Sequence, residues 1–158
     1  MHDRNSFDCG VPALNTYLQR QARQDMDRGV AVPYVLVPSD TPSQIAGFYT
    51  LSATSVKLEG WPEDVSKKLP KYPVVPATLL GRLAVSVNQQ GKRLGERLLV
   101  DALHRSLAAS DSVGSVAVVV DAKDESNADF HGKYGFIRFV DSPLHLFIMM
   151  KTVAELWP

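Results

Sequence analysis

At 158 residues with 45% apolar content, the chain can bury one real core but is short for two domains. Lysine plus arginine equals aspartate plus glutamate at 17 each, which excludes a global field drawing the protein onto nucleic acid or a membrane. Cys9 is the single cysteine, so an internal disulfide and a cysteine metal cluster are excluded. No apolar run approaches the roughly 18 to 20 residues that span a bilayer. The opening Met1-His-Asp-Arg-Asn lacks the basic-then-apolar form of a signal peptide. The expectation is a soluble cytoplasmic protein with one domain over residues 1–158.

In chain order, Asp8 or Gly10 is placed to cap a helix with Pro12 in its first turn. Leu14, Tyr17, Leu18 and Ala22 share one helical face, with Gln19, Arg20, Arg23 and Gln24 on the other. Ala31–Val37 and Ile45–Leu51 read as short strands joined by a turn-forming Pro-Ser-Asp-Thr-Pro-Ser segment. Val56–Pro76 is proline-rich and predicts a long loop with one helical turn near Glu63–Lys68. A buried strand over Leu79–Val85, a helix over Leu94–Leu107, a strand over Val116–Val120 and a helix from about Glu125 follow. Leu144–Met149 is a final apolar strand, and Val153–Trp157 a short tail.

The most informative stretch joins the Leu79–Val85 strand to the helix after it. Gln90-Gly-Lys-Arg-Leu-Gly95 is a polar turn whose N–H groups face outward at a helix N-terminus, a site suited to phosphate or pyrophosphate. Gly91 and Gly95 let the backbone approach a ligand, and Lys92 and Arg93 add positive charge. No Gly-Lys-Ser/Thr ending is present, so this is not a P-loop, and no G-x-G-x-x-G with a following acidic residue marks a dinucleotide fold.

Together with Phe7-Asp-Cys-Gly10, Gly47-Phe-Tyr-Thr-Leu-Ser52, Gly81-Arg-Leu-Ala-Val85 and Tyr134-Gly-Phe136, this order of elements resembles the GNAT superfamily of acyl-CoA N-acyltransferases. It is most similar to the acetyltransferase toxins of type II toxin–antitoxin pairs, over nearly the whole chain. The resemblance implies a mixed α/β (α+β) fold, a mostly antiparallel central sheet flanked by helices. It implies acetyl-CoA as donor, its pyrophosphate on Gln90, Gly91, Lys92, Arg93, Leu94 and Gly95 and its pantetheine on the backbone of Leu83, Ala84 and Val85. That family places a further strand ahead of Phe7, where this chain has six residues, so a short or missing first strand is expected.

Two positions depart from the pattern. The tyrosine that the family uses to protonate the departing thiolate is His131 here, with Tyr134 a weaker candidate for that role. Histidine titrates near neutral pH but is shorter than a phenol, so a working substitute acid, a weakened or inactivated site and a plain surface histidine all stay open. The family's central glycine in the turn is Arg93, a cost if the residue needs positive φ and a phosphate partner if it does not. The resemblance implies acetylation of the α-amino group of aminoacyl-tRNA, a ribbon-helix-helix antitoxin as partner, and is compatible with a homodimer. Arg82, Lys67, Lys68 and Lys71 are candidate substrate contacts; the last three lie near Trp61 and Tyr72, a mixture suited to phosphates and base stacking. An N-acetyltransferase of a small amine or protein N-terminus, and an impaired acetyl-CoA-binding antitoxin partner, are the alternatives. No metal site is expected.

Overall fold

The computed structural model describes residues 2–158. In chain order it comprises α1 (Pro12–Thr16), a π-helical turn (Tyr17–Gln21), α2 (Ala22–Asp27), β1 (Val32–Leu36) and β2 (Gly47–Lys57). Then come a 3-10 turn (Leu58–Gly60), α3 (Glu63–Ser66), β3 (Val74–Val85), a second 3-10 turn (Val87–Gln89) and α4 (Leu94–Ala109). The chain ends with β4 (Ala117–Asp121), α5 (Glu125–Gly132), β5 (Ile137–Arg138), β6 (His145–Met149) and α6 (Met150–Leu156). The strands form one six-stranded sheet in the order β1-β2-β3-β4-β6-β5. Pairing is antiparallel for β1–β2, β4–β6 and β5–β6 and parallel for β3–β4. This is the mixed, mostly antiparallel sheet with flanking helices that the resemblance implies. Among the described residues no helix is long and apolar enough to cross a membrane.

Two compact units can be distinguished. The first comprises the chain up to Ser52 together with Gly81–Ala102. Its core gathers Phe7, Tyr17, Leu18, Ala22, Ile45, Phe48 and Ala84. Alternation along β2 sends Phe48 toward the first helices, where it meets Phe7 edge-on and Tyr17 face-on. Tyr49 points the other way, and its hydroxyl donates to Asp101 of α4 at 2.5 Å. The N-cap of α1 is Val11 and carries no side-chain cap. Asp8 instead organises the lead-in, its Oδ1 accepting from Gly10 N and Asn15 Nδ2, while Asn15 Oδ1 accepts from Cys9 N. The widened π-helical turn was not legible in the periodicity, because a single inserted residue leaves Tyr17, Leu18 and Ala22 on one buried face.

The second unit comprises Ala53–Leu80 with Leu103–Pro158. Its core packs Trp61, Leu69, Val75, Val119, Phe139 and Phe147. The expected loop after Val56 is shorter than predicted, since β2 runs to Lys57 and β3 starts at Val74, and its helical turn is α3. The expected tail is helix α6, which forms because Met150 and Val153, one turn apart, both bury. Asp124, to which sequence gave no role, is the N-cap of α5 and accepts from Asn127 N at 2.8 Å. Ahead of Phe7, among the described residues, Asp3 forms a parallel bridge to Gln44 where the resemblance places a further strand. Phe147 is fully buried, with ring centroids 4.7 Å from Trp61 and 4.9 Å from Phe139. Phe147→Ala should cost about 3–5 kcal/mol in urea unfolding; a cost below 1 kcal/mol would mean this cluster does not hold the unit together.

Candidate active site

The turn after β3 is anchored at both ends. Val87 N donates to Asp8 O at 2.8 Å, and the Gln90 amide reaches Val85 O at 3.2 Å and Cys9 O at 3.5 Å. The Gln90 side chain therefore holds the turn against the Phe7–Gly10 segment, and Ser86 Oγ donates to Asn88 Oδ1 inside it. The turn and the Asp-Cys-Gly segment form one local structure, which explains why both blocks occur together. Beyond the second 3-10 turn, Gly91 has φ +83° and Arg93 φ +59°. Among the described residues, the successive N–H groups of residues 91–96 donate to no protein acceptor; the first helical bond of α4 belongs to Arg97 N, onto Arg93 O. A run of free N–H groups, bent by left-handed residues at a helix N-terminus, is a nest for an anion. Lys92 and Arg93 are exposed beside it.

Arg93 is the single non-glycine residue with positive φ among the described residues. The cost foreseen for arginine at the glycine position therefore applies. A left-handed non-glycine residue costs about 1–2 kcal/mol and persists where the surroundings impose it.

Leu83, Ala84 and Val85 close β3 on the same unit. The β3–β4 register covers Thr78–Leu80 and ends there, so Leu83–Val85 carry no β4 ladder partner. Strand backbone with unused groups, directly before the anion nest, can bind an amide-containing arm. Arg82 is half-buried, its guanidinium carbon 3.6 Å above the centre of the Tyr17 ring.

In the second unit, His131 lies in the last turn of α5 and is 5% exposed. Phe130 and Phe136 meet its ring edge-on at 5.2 Å each, and its Nδ1 is buried without a hydrogen-bond partner. Burial, with no carboxylate to offset it, lowers its pKa from 6.5 to about 4, so the imidazole is neutral near pH 7. Tyr134 is half-buried with its ring against Phe130 at 5.3 Å. Lys67, Lys68 and Lys71 are all exposed, and so is Tyr72 at 65%. Trp61 is not available to stack on a base: it is 2% exposed inside the core. The aromatic and basic letters looked like one surface patch because burial of the indole depends on Phe139 and on Phe147 of β6, far along the chain. No group of His, Cys, Asp and Glu side chains among the described residues could hold a metal.

No family model matches the chain. A tRNA-acetylating toxin of Mycobacterium tuberculosis is 34% identical over 154 residues, 98% of this chain and 90% of its own. Among solved structures, a tyrosine-to-phenylalanine mutant of KacT shares 34% identity with a TM-score of 0.92, over 99% of this chain and 92% of that one. AtaT complexed with acetyl-methionyl-tRNAfMet shares 31% with a TM-score of 0.91, over 99% and 93%. AtaTR bound with acetyl-CoA, and an AtaT mutant bound to the C-terminus of the antitoxin AtaR, align at TM-scores of 0.86 and 0.84 and 29% identity, over 99% of this chain and over 92% and 91% of those chains. Sheet order, turn and relatives together define a GNAT-type acetyltransferase. Within that class, the chain belongs to the family of tRNA-acetylating toxins.

Two stability measurements test the geometry. Arg93→Gly removes a strained side chain from the left-handed region and should raise unfolding free energy by about 1 kcal/mol; unchanged or lower stability would argue against the positive φ. For His131 the folded pKa lies below the unfolded one, so its contribution is complete above pH 6.5 and is lost as pH falls through about 4. Moved from pH 7 to 4.5, the parent should lose about 2 kcal/mol more than His131→Leu in urea titrations. Equal losses would mean the imidazole is solvated.

Proposed function

We propose that the chain transfers the acetyl group of acetyl-CoA to the α-amino group of an aminoacyl-tRNA, slowly because of His131, and that a ribbon-helix-helix antitoxin neutralises it. The observation that carries the donor half is the run of unpartnered N–H groups over residues 91–96. It fits a pyrophosphate, with Gly91, Lys92, Arg93, Leu94 and Gly95 as the cradle and Gln90 as the brace beneath it. The backbone of Leu83–Val85, which has no β4 ladder partner, takes the pantetheine amides. The acceptor and antitoxin halves rest on kinship, through the acetyl-methionyl-tRNA complex of AtaT and the binding of AtaT to AtaR. The exposed Lys67, Lys68 and Lys71 supply phosphate contacts to the tRNA.

In the reaction the amine nitrogen attacks the thioester carbonyl, the C–N bond forms and the C–S bond breaks. The electron pair leaves on sulfur, which takes a proton, and the new ammonium gives one up. An α-amino group titrates near 7.7–8.0, so a usable fraction is already the free base at neutral pH. The thiolate is a good leaving group, since a free thiol titrates near 8.5. Acid assistance therefore speeds the step without being indispensable. At the family's tyrosine position, His131 with a pKa of about 4 is protonated in roughly one molecule per thousand at pH 7. It cannot serve as a cationic acid there, and the proton comes from a weaker source.

The test incubates the protein and His131→Tyr with acetyl-CoA and a bulk pool of charged tRNA. After nuclease digestion, N-acetyl-aminoacyl-adenosine is sought by mass spectrometry. Both proteins should form it, the tyrosine variant with kcat at least tenfold higher. In the parent, kcat/KM should rise with pH toward the amine pKa with no inflection near 6.5. A fall in kcat on introducing tyrosine would make histidine the adapted acid, and no product from either protein would sink the aminoacyl-tRNA acceptor.

A further inference from the structure

Arg82 is a half-buried cation of the first unit, held at the end of β3 against the first helices. Its guanidinium lies 3.6 Å over the Tyr17 ring, yet among the described residues it forms no ion pair and donates no hydrogen bond. Asp25, a carboxylate that feels the Arg82 charge, already has hydrogen bonds on both oxygens: its Oδ2 accepts from the Tyr17 hydroxyl at 2.9 Å and its Oδ1 from Gln21 Nε2 at 3.0 Å. Those two bonds, Gln21 contributing most, hold the Asp25 carboxyl below its usual range with smaller help from the Arg82 and Arg28 charges, and burial pushes the Tyr17 phenol up to about 12. Tyr17 and Gln21 open and close the π-helical turn, so the widened turn sets the ring and the amide that occupy Asp25. What results is a planar cation on an aromatic platform with its N–H donors uncommitted, the arrangement suited to a phosphate.

The side of the sheet decides whose phosphate it is. Arg82 and Ala84 are two apart on β3 and share a face with Phe48, the face covered by the first helices. Helix α4, whose N-terminus carries the anion nest, packs on the opposite face, where Asp101 meets Tyr49 and Leu98 approaches Gly47. A guanidinium on the first-helix face does not serve a donor pyrophosphate held at α4. We infer that Arg82, stacked on Tyr17, binds a phosphodiester of the acceptor tRNA. This rests on the acceptor assignment above.

The experiment measures anisotropy of labelled, uncharged tRNA and calorimetric binding of acetyl-CoA for the parent, Arg82→Gln and Arg82→Lys. Arg82→Gln should weaken tRNA about tenfold and lower the slope of log affinity against log salt by about 0.7–0.9, one phosphate contact. Acetyl-CoA affinity should stay within twofold, and the lysine variant should restore the salt slope. Unchanged tRNA affinity and slope in Arg82→Gln would overturn the inference. So would a matched loss of acetyl-CoA affinity with the melting temperature kept, which would assign the guanidinium to the donor. If the glutamine variant does not fold, Arg82→Lys decides alone, because loss of the planar fork should still weaken tRNA several-fold at the parent's salt slope. Absence of acetylated product from the parent would sink the acceptor assignment instead, so the two failures are separable.

Discussion

Among the described residues, the backbone N–H groups between Gly91 and Glu96 have no acceptor in the protein. Leaving donors unsatisfied costs stability unless water or a ligand completes them. The chain adds a second cost by holding Arg93 in the left-handed region. Val87 N on Asp8 O, the Gln90 amide on Val85 O and Cys9 O, and the Asp8–Asn15 pair fix the turn from beneath. Such bracing suits the proposed role of the loop, meeting a pyrophosphate already in shape, because ordering it at the moment of binding would cost affinity.

His131 follows the reverse logic. Two phenylalanine rings and an orphaned Nδ1 surround it with apolar matter, and nothing charged compensates. The residue usually chosen for chemistry near neutral pH is here removed from that range by burial. A tyrosine would remain a neutral O–H donor in the same surroundings, so the exchange alters the available proton more than it alters polarity.

Much of this was legible in the letters. The turn, its glycines, the strand before it and the helix after it follow from local pattern, and β1, β4, β6 and α5 fall within a residue or two of expectation. The block Phe-Asp-Cys-Gly could be noticed but not explained, because its bonds reach Val87 and Gln90, some eighty positions on. Trp61 was misplaced on the surface for the same reason: its partners Phe139 and Phe147 lie nearly eighty positions or more along the chain. The π-helical turn and the Arg82–Tyr17 stack were invisible, since one is a local insertion that preserves the buried face and the other a contact between a helix and a strand far apart in sequence. Helix α6 was missed because two buried residues, Met150 and Val153, are too short a signal for a period.

The most direct test of the donor site is a pair of amide NMR titrations, one with acetyl-CoA and one with acetyl-pantetheine, which lacks the pyrophosphate. The account predicts large downfield shifts of the Gly91–Gly95 amides with acetyl-CoA, because those N–H groups gain charged acceptors, and little change there with acetyl-pantetheine. Amides of that turn unmoved by saturating acetyl-CoA, with shifts gathered elsewhere, would contradict it.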